Sequence, residues 1–289
     1  MAYSGLLKGA IDLHVHAAPD VVARKQDAAA VLADAAEAGM AGVLLKEHCT
    51  STVGRAAVLN ALNPHGPKAY PALALNPPVG GLNPVAVESF LRAGGRVVYA
   101  PTYGAAHHIG IWGAGKPPTA FPLPAGYQGL TLFDAAGNLK PELDPILELI
   151  AAADGVLATG HVSPAEGLAL LKRGKALGVK RLMVTHASES VTAMPIDEQR
   201  QAAALGAVIE HCFFAVTPHV PGRITHAEIA RQVREVGAEH VALSSDFGQV
   251  GNPPAVQGFG EQLEIMAGLG FGPAEIREMT AANPRRLLE

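Results

Sequence analysis

The 289-residue chain predicts an α/β fold, a (β/α)8 TIM barrel with a long loop insertion after strand four. Three observations carry this. Short apolar runs alternate with Ala-rich amphipathic segments from end to end, with no low-complexity linker between them. The runs are apolar throughout, as parallel strands are when both of their faces are buried. Several helix-like segments end in glycine just before the next run, as in "EAGMAGVLL", "RAGGRVVY", "ALGVKRLMV" and "ALGAVIE". A glycine there takes the left-handed conformation that ends a helix and turns the chain back. Eight such units favour a closed barrel over an open doubly wound sheet. The open sheet would place a Gly-rich phosphate loop after its first strand, and "HVHAAPD" is not one. A single domain over 1–289 is expected, since barrels of this length form one unit.

Taken in order, the first strand is "IDLHVH" (11–16), followed by a helix over 26–38. Strand two, "GVLLKEH" (42–48), leads into a helix over 54–62, and strand three, "AYPALAL" (69–75), into one over 84–93. Strand four is "RVVYAPT" (96–102), and a helix over 142–153 precedes strand five, "GVLATGH" (155–161). Helices over 164–177, 196–205 and 226–236 separate "RLMVTH" (181–186), "AVIEH" (207–211) and "HVALSSD" (240–246). Segments 260–268 and 273–282 close the chain as helices. The 103–141 connection breaks the rhythm and holds the only tryptophan, Trp112. On the C-terminal face of a barrel it forms either a lid or a packing insertion that contacts another subunit. Within it "LTLFDAAGNLKP" alternates around a Gly-Asn turn and predicts a small hairpin.

The composition excludes some functions. With 22 Lys and Arg against 26 Asp and Glu the formal charge is −4, and no basic cluster exceeds "LKRGK" at 171–175. That cluster reads as the polar face of a helix, so nucleic acid is not an expected partner. No run of 18 apolar residues and no signal-like apolar segment occurs, so no membrane partner and a cytoplasmic location are expected. Cys49 and Cys212 read as reduced, small buried residues rather than ligands or nucleophiles.

The polar residues at the C-terminal strand ends are His14, His16, Lys46, His48, Thr102, His161, His186, Glu210, His211 and Asp246. Active sites of such barrels lie at that rim. In a strand, positions 14 and 16 share a face, so two imidazoles can grip one ion. One strand-end histidine is usually structural. A His-x-His followed by two more histidines and an aspartate at other strand ends makes sense around a ligand, because buried polar groups are costly unless satisfied.

The motifs "HVH" (14–16), "GH" (160–161), "TH" (185–186) and "SSD" (244–246), in this order and strand register, resemble the amidohydrolase superfamily of metal-dependent barrels. The terminal "NPRRLLE" (283–289) is similar to the helix that often closes them, and "GGLNPVAVE" (80–88) resembles a poorly characterised branch. The resemblance implies that His14, His16, His161, His186 and Asp246 form a metal site. Imidazole and carboxylate together suit Zn²⁺ best, with Mn²⁺ or Fe²⁺ as alternatives. Asp246 would take a proton from water and return it to the leaving group, and His186 would aid in polarising the scissile carbonyl. The activity expected is hydrolysis of an amide, lactone or related ester bond in a small polar molecule, and Arg223, Lys46 and Arg55 favour an anionic one. Decarboxylation or phosphoester hydrolysis on the same site is the first alternative, and a non-catalytic metal- or ligand-binding barrel the second.

The sequence also departs from the family. Binuclear members bridge two metals with a strand-four lysine or glutamate, but "VVYAPTY" offers only Tyr99, Thr102 and Tyr103. Strand two, "LLKEHC", places Lys46 and His48 on one face and Glu47 on the other. Lys46 is then a carbamate bridge to the metal, a cation for a substrate carboxylate, or a lysine snorkelling to the rim. Glu47 is the fallback bridge. One ion with His186 on substrate, and two ions with His186 on the second, both remain open. In "IEHCF" either Glu210 or His211 faces the site. His48, His211, Arg223 and Gln249 are the candidate substrate contacts, with Asn252 shaping the last rim loop. Arg55 either caps a helix or binds an anion. His107 and His108 lie in the insertion, His65 and His226 in solvent, and His240 at the opposite face. A homo-oligomer is compatible with the fold, with Ile109, Ile111 and Trp112 as a pocket cover or a subunit contact.

Overall fold

In the computed structural model, eight parallel strands pair in chain order around a barrel. It describes residues 4–113, 121 and 123–289, so 114–120 and 122 of the expected insertion lie outside the described residues. The strands are β1 (Ile11–Val15), β2 (Gly42–Leu45), β3 (Lys68–Ala74), β4 (Val97–Tyr99), β5 (Val156–Ala158), β6 (Arg181–Val184), β7 (Val208–Cys212) and β8 (Val241–Ser244). The ends of the sheet meet at the top, where His16 N–H donates to Phe247 O at 2.8 Å and Asp246 N–H to His14 O at 2.9 Å.

Alternation divides each strand between two cores. Ile11, Leu44, Val97, Val156, Met183 and Ala242 fill the barrel interior. Val43, Val98, Leu157, Leu182 and Leu243 pack outward under the helices. Those helices are α1 (Ala28–Glu37), α2 (Val53–Leu62), α3 (Pro84–Arg92), α4 (Ala106–Trp112), α5 (Leu143–Ala152), α6 (Pro164–Ala176), α7 (Ile196–Ala204), α8 (His226–Val236) and α9 (Ala255–Gly268). α10 (Pro273–Arg277) and α11 (Asn283–Leu288) follow. Their starts are chemically marked: Asp27, Asn83, Ser163 and Thr225 each accept a backbone N–H in the first turn, and Ser163 forms a reciprocal box with Glu166. Among the described residues no helix is long and apolar enough to cross a membrane.

Four elements differ from expectation. α9 begins at Ala255, ahead of the expected 260, and α4 lies unforeseen inside the insertion. The terminal helix is widened by a π turn, Glu278–Ala282, just before Pro284, whose ring cannot sit against the Thr280 carbonyl in a regular helix. The expected hairpin is one bridged pair, Phe133 with Leu139. The insertion is nonetheless anchored: Leu132 N–H donates to Glu166 Oε1 at 2.7 Å and Trp112 Nε1–H to Ser190 Oγ at 3.1 Å.

α11 closes the barrel floor. Leu287 and Leu288 enter the interior core, and Asn283 Nδ2 donates to the carbonyls of Ala238 and Val241 at 2.8 and 2.6 Å. Leu287→Ala should therefore lower stability by about 2–5 kcal/mol, the range for truncating a buried leucine, read as a shift of the urea midpoint with unchanged slope.

Candidate active site

The pairing of β1 with β2 slips between Asp12 and Val15, leaving two residues of β1 opposite one of β2. This bulge reverses the strand's parity midway. Ile11 and Leu13 point into the interior core below it, and His14 and His16 point to the axis above it. Asp12 holds the bulge by accepting His14 N–H at 3.1 Å and Ser245 N–H at 3.0 Å. Burial pushes its carboxyl up to about 7 against the Ser245 hydrogen bonds.

Two further rim residues take the left-handed backbone conformation, His186 at φ 28° and Asp246 at φ 52°. Such conformations cost about 1–3 kcal/mol in a non-glycine residue and cluster at functional sites. Gly160, at φ 63°, sets His161: a Cβ there would lie 2.4 Å from Ala100 O. Chain geometry thus aims these side chains inward at a local energetic cost.

The centre is Asp246. Its Oδ1 lies 3.3 Å from His14 Nε2 and 3.0 Å from His16 Nε2. His161 and His186 pack at 4.6 Å between ring centroids beside this group, and His186 is within 5.4 Å of His14. Outer contacts orient the imidazoles. His14 Nδ1 faces both Glu210 oxygens at 3.3 Å, and Glu210 also accepts Ser244 Oγ–H at 2.7 Å and His186 N–H at 3.1 Å. His161 Nδ1 meets His108 Nδ1 at 2.7 Å, so one of the two rings donates to the other. His48 Nδ1 bonds Thr102 Oγ1 at 2.7 Å, and Arg24 approaches His16 Nδ1 at 3.4 Å.

Burial holds His16, His48, His161 and His186 well below the usual imidazole range, with Arg24, Lys46 and neighbouring rings adding to it. These imidazoles are neutral, the form that offers a lone pair to a metal. Burial also lowers Lys46, opposed by Asp246 and Glu210, while it raises Glu189, reinforced by Asp246. For Glu210 the upward push of burial is outweighed by His14 and by hydrogen bonds, and its carboxyl is lowered.

A cavity of about 270 Å³ opens onto this cluster. His14 Nε2, His161 Nε2, His186 Nδ1, Lys46 Nζ and Glu189 Oε2 are all buried without a hydrogen-bond partner. The unpaired imidazole nitrogens and carboxylate oxygen fit a bound cation, since each is costly alone, whereas the Lys46 ammonium has only protons to donate and suits an anion instead. The donor set of neutral imidazoles and carboxylates is what Zn²⁺, Mn²⁺ and Fe²⁺ take.

The cavity gathers His16, Lys46, His48, His161, His186, Asp246 and Gln249 from the expected set, with His14 directly behind His16. Asn252 Nδ2 donates to Gln249 Oε1 at 2.6 Å and so braces it. Other expectations need correction. Parity turns Glu210 inward and sends His211 outward, fully buried beneath α8 rather than against a substrate. Arg223 is exposed in the loop before α8 and lies outside the cavity lining. Glu47 pairs with Arg55 at 3.0 Å, and Arg55 also donates to the carbonyls of Ala17 and Pro19, so neither faces the cavity. His226 is half-buried against Gln262 rather than solvated. The expected set lacked Glu189, Arg24, His108 and the apolar walls Phe121 and Phe214. Only Glu189 carried a signal, as an acid three residues beyond a rim histidine in "THASE".

Fold and site together define a (β/α)8 barrel with a buried imidazole–carboxylate centre at its C-terminal rim. Residues 9–210 match a family described as of unknown function, DUF6282, and the chain belongs to that family. No curated protein matches it in sequence. In fold the chain is similar to an amidohydrolase from Pseudomonas aeruginosa, at 12% identity and TM-score 0.68, over 98% of this chain and 96% of that one. It is similar also to the probable dipeptidase PvdM from Pseudomonas aeruginosa, at 12% identity and TM-score 0.65, over 96% and 94%. A 2,6-dihydroxybenzoate decarboxylase from Rhizobium aligns at 13% identity and TM-score 0.53, over 97% and 98%. The architecture expected from the amidohydrolase resemblance is the one found.

Because Glu210 fixes the ring of His14, Glu210→Gln should weaken binding of Zn²⁺ by about 10- to 100-fold, as loss of such outer partners does. Titration against a chromophoric chelator measures this; an unchanged affinity would deny Glu210 that part.

Proposed function

We propose that the protein is a metal-dependent hydrolase that cleaves an amide, lactone or related ester bond in a small anionic molecule. The carrying observation is the convergence of His14 Nε2 and His16 Nε2 on one oxygen of Asp246, at 3.3 and 3.0 Å, at the cavity floor. His14, His16, His161, His186 and Asp246 would hold the ion, with Zn²⁺ preferred and Mn²⁺ or Fe²⁺ as alternatives. Bound there, a divalent cation supplies Lewis acidity and brings the pKa of water towards about 7.

The chain's own residues do the rest. Asp246 is the carboxylate placed to accept a proton from the attacking water and to return it to the leaving group. Its left-handed backbone, tied by N–H to His14 O, fixes where that carboxylate stands. Lys46, with its Nζ unpaired in the cavity wall, supplies positive charge for an anionic group of the substrate, while Arg24 beside it is already paired with Asp20 at 2.7 Å. Trp112, Phe121 and Phe214 line the entrance and exclude water, which strengthens those charge interactions.

A decarboxylase is the second candidate, favoured by the same aromatic walls beside Lys46 and by the fold similarity to a 2,6-dihydroxybenzoate decarboxylase. A panel of N-acyl amino acids, lactones, carboxylated esters and aromatic carboxylates separates the two. Hydrolysis of at least one member is expected, and Asp246→Asn should reduce its turnover about 100- to 10,000-fold with the fold retained. Release of CO2 from aromatic carboxylates with no hydrolysis would instead establish the second, and equal activity of Asp246→Asn would sink both.

A further inference from the structure

We infer that the mouth of the cavity is a binding subsite for an apolar group of the substrate. The molecule hydrolysed is then an amphiphile whose polar end enters first and whose acyl or aryl end stays at the rim. This rests on the metal-dependent function proposed above and adds to it the class of substrate.

The two ends of the cavity differ in what they leave unsatisfied. At its floor, His161 Nε2, His186 Nδ1 and Lys46 Nζ are buried without hydrogen-bond partners. Towards solvent, the polar side chains of the lining are already matched within the chain. Arg24 Nε–H donates to Asp20 Oδ2 at 2.7 Å, and both side chains of that pair are buried. Gln249 Nε2 donates to Asp246 O at 2.9 Å while its Oε1 accepts from Asn252 Nδ2 at 2.6 Å. Trp112 Nε1–H is spent on Ser190 Oγ at 3.1 Å. The rest of the wall there is apolar: Val22, Ala23, Trp112, Phe121, Phe214 and Val250. A polar group of a substrate therefore finds partners only at the floor.

The apolar surface continues past the opening. Among the described residues seven large hydrophobic side chains are exposed, and three stand at the mouth: Val250 itself, Val21 next to Val22, and Ile111 next to Trp112. The other four lie on the outer helices α2, α3 and α9. Single exposed hydrophobic residues are ordinary, whereas a group of them rimming a cavity marks a binding surface. This surface is also preformed. Lys25 N–H donates to Gly248 O at 2.8 Å and Arg24 pairs with Gln249 in an antiparallel bridge, joining the loops that carry Val22 and Val250. An apolar group that lands there pays little to order its site.

Two probes that share a metal-binding end and differ in the apolar one test this. The full chain, reconstituted with Zn²⁺, is titrated by calorimetry with acetohydroxamate and with octanohydroxamate. Emission from Trp112, the chain's one tryptophan, is followed alongside. Each methylene moved from water onto an apolar wall tightens binding about fourfold. With several of its methylenes on the wall, octanohydroxamate should bind at least about 100-fold more tightly than acetohydroxamate, and it alone should shift the emission of Trp112. Val250→Asp and, independently, Ile111→Asp put a charge on the exposed rim and should cut that ratio to about tenfold or less. If one variant does not fold, the other carries the test. A ratio near one in the wild type, a high ratio untouched by the substitutions, or tight binding that leaves Trp112 emission unchanged overturns the apolar subsite and leaves the metal-dependent function standing. Binding of neither probe to the reconstituted protein overturns that function and the subsite with it.

Discussion

The seam between β1 and β8 governs the chemistry of this molecule. There the last backbone hydrogen bonds of the barrel and the central side-chain contacts are made by the same residues. Asp246 donates its N–H to His14 O while its carboxylate meets His14 and His16. Barrel closure and assembly of the centre are one event, so the side chains cannot drift apart without opening the sheet. The bulge in β1, held by Asp12, allows one five-residue strand to feed both the apolar interior and the polar rim.

That arrangement concentrates unfavourable features in a small volume. Buried neutral imidazoles, an unpaired lysine, close carboxylates and two left-handed non-glycine residues all sit at the C-terminal rim. The opposite end is plugged by Leu287 and Leu288, with Asn283 tying α11 to β8, and holds a left-handed non-glycine residue of its own, Asp154, before β5. This division between a stabilising floor and a strained, functional rim follows from barrel geometry, in which one end is free to specialise.

The barrel itself was legible in the sequence because its signals are local. Apolar runs, glycine stops and capping residues each act within a few positions, and all eight strands fall where those signals put them. His14, His16, His161, His186 and Asp246 were legible as rim residues for the same reason. Parity carried Lys46 and His48 correctly into the cavity, but in "IEHCF" it could not choose between Glu210 and His211, because no local signal says which face of β7 looks inward. The choice is made by a contact with His14 across 196 positions. Arg223 looked suitable from its loop alone, and that loop turns its side chain to solvent. His108 and Glu189 act through the fold of an insertion and of a tight turn, neither of which leaves a periodic pattern. Their partners, His161 and Asp246, are brought to them only by closure.

The central claim is that His14, His16 and Asp246 hold a cation. Anomalous X-ray diffraction at the zinc edge, from crystals of the full chain grown with Zn²⁺, tests it most directly. A peak bounded by His14 Nε2, His16 Nε2 and an Asp246 carboxylate oxygen is predicted. A well-ordered barrel with no anomalous density at that position, or with zinc bound only elsewhere on the chain, would contradict it.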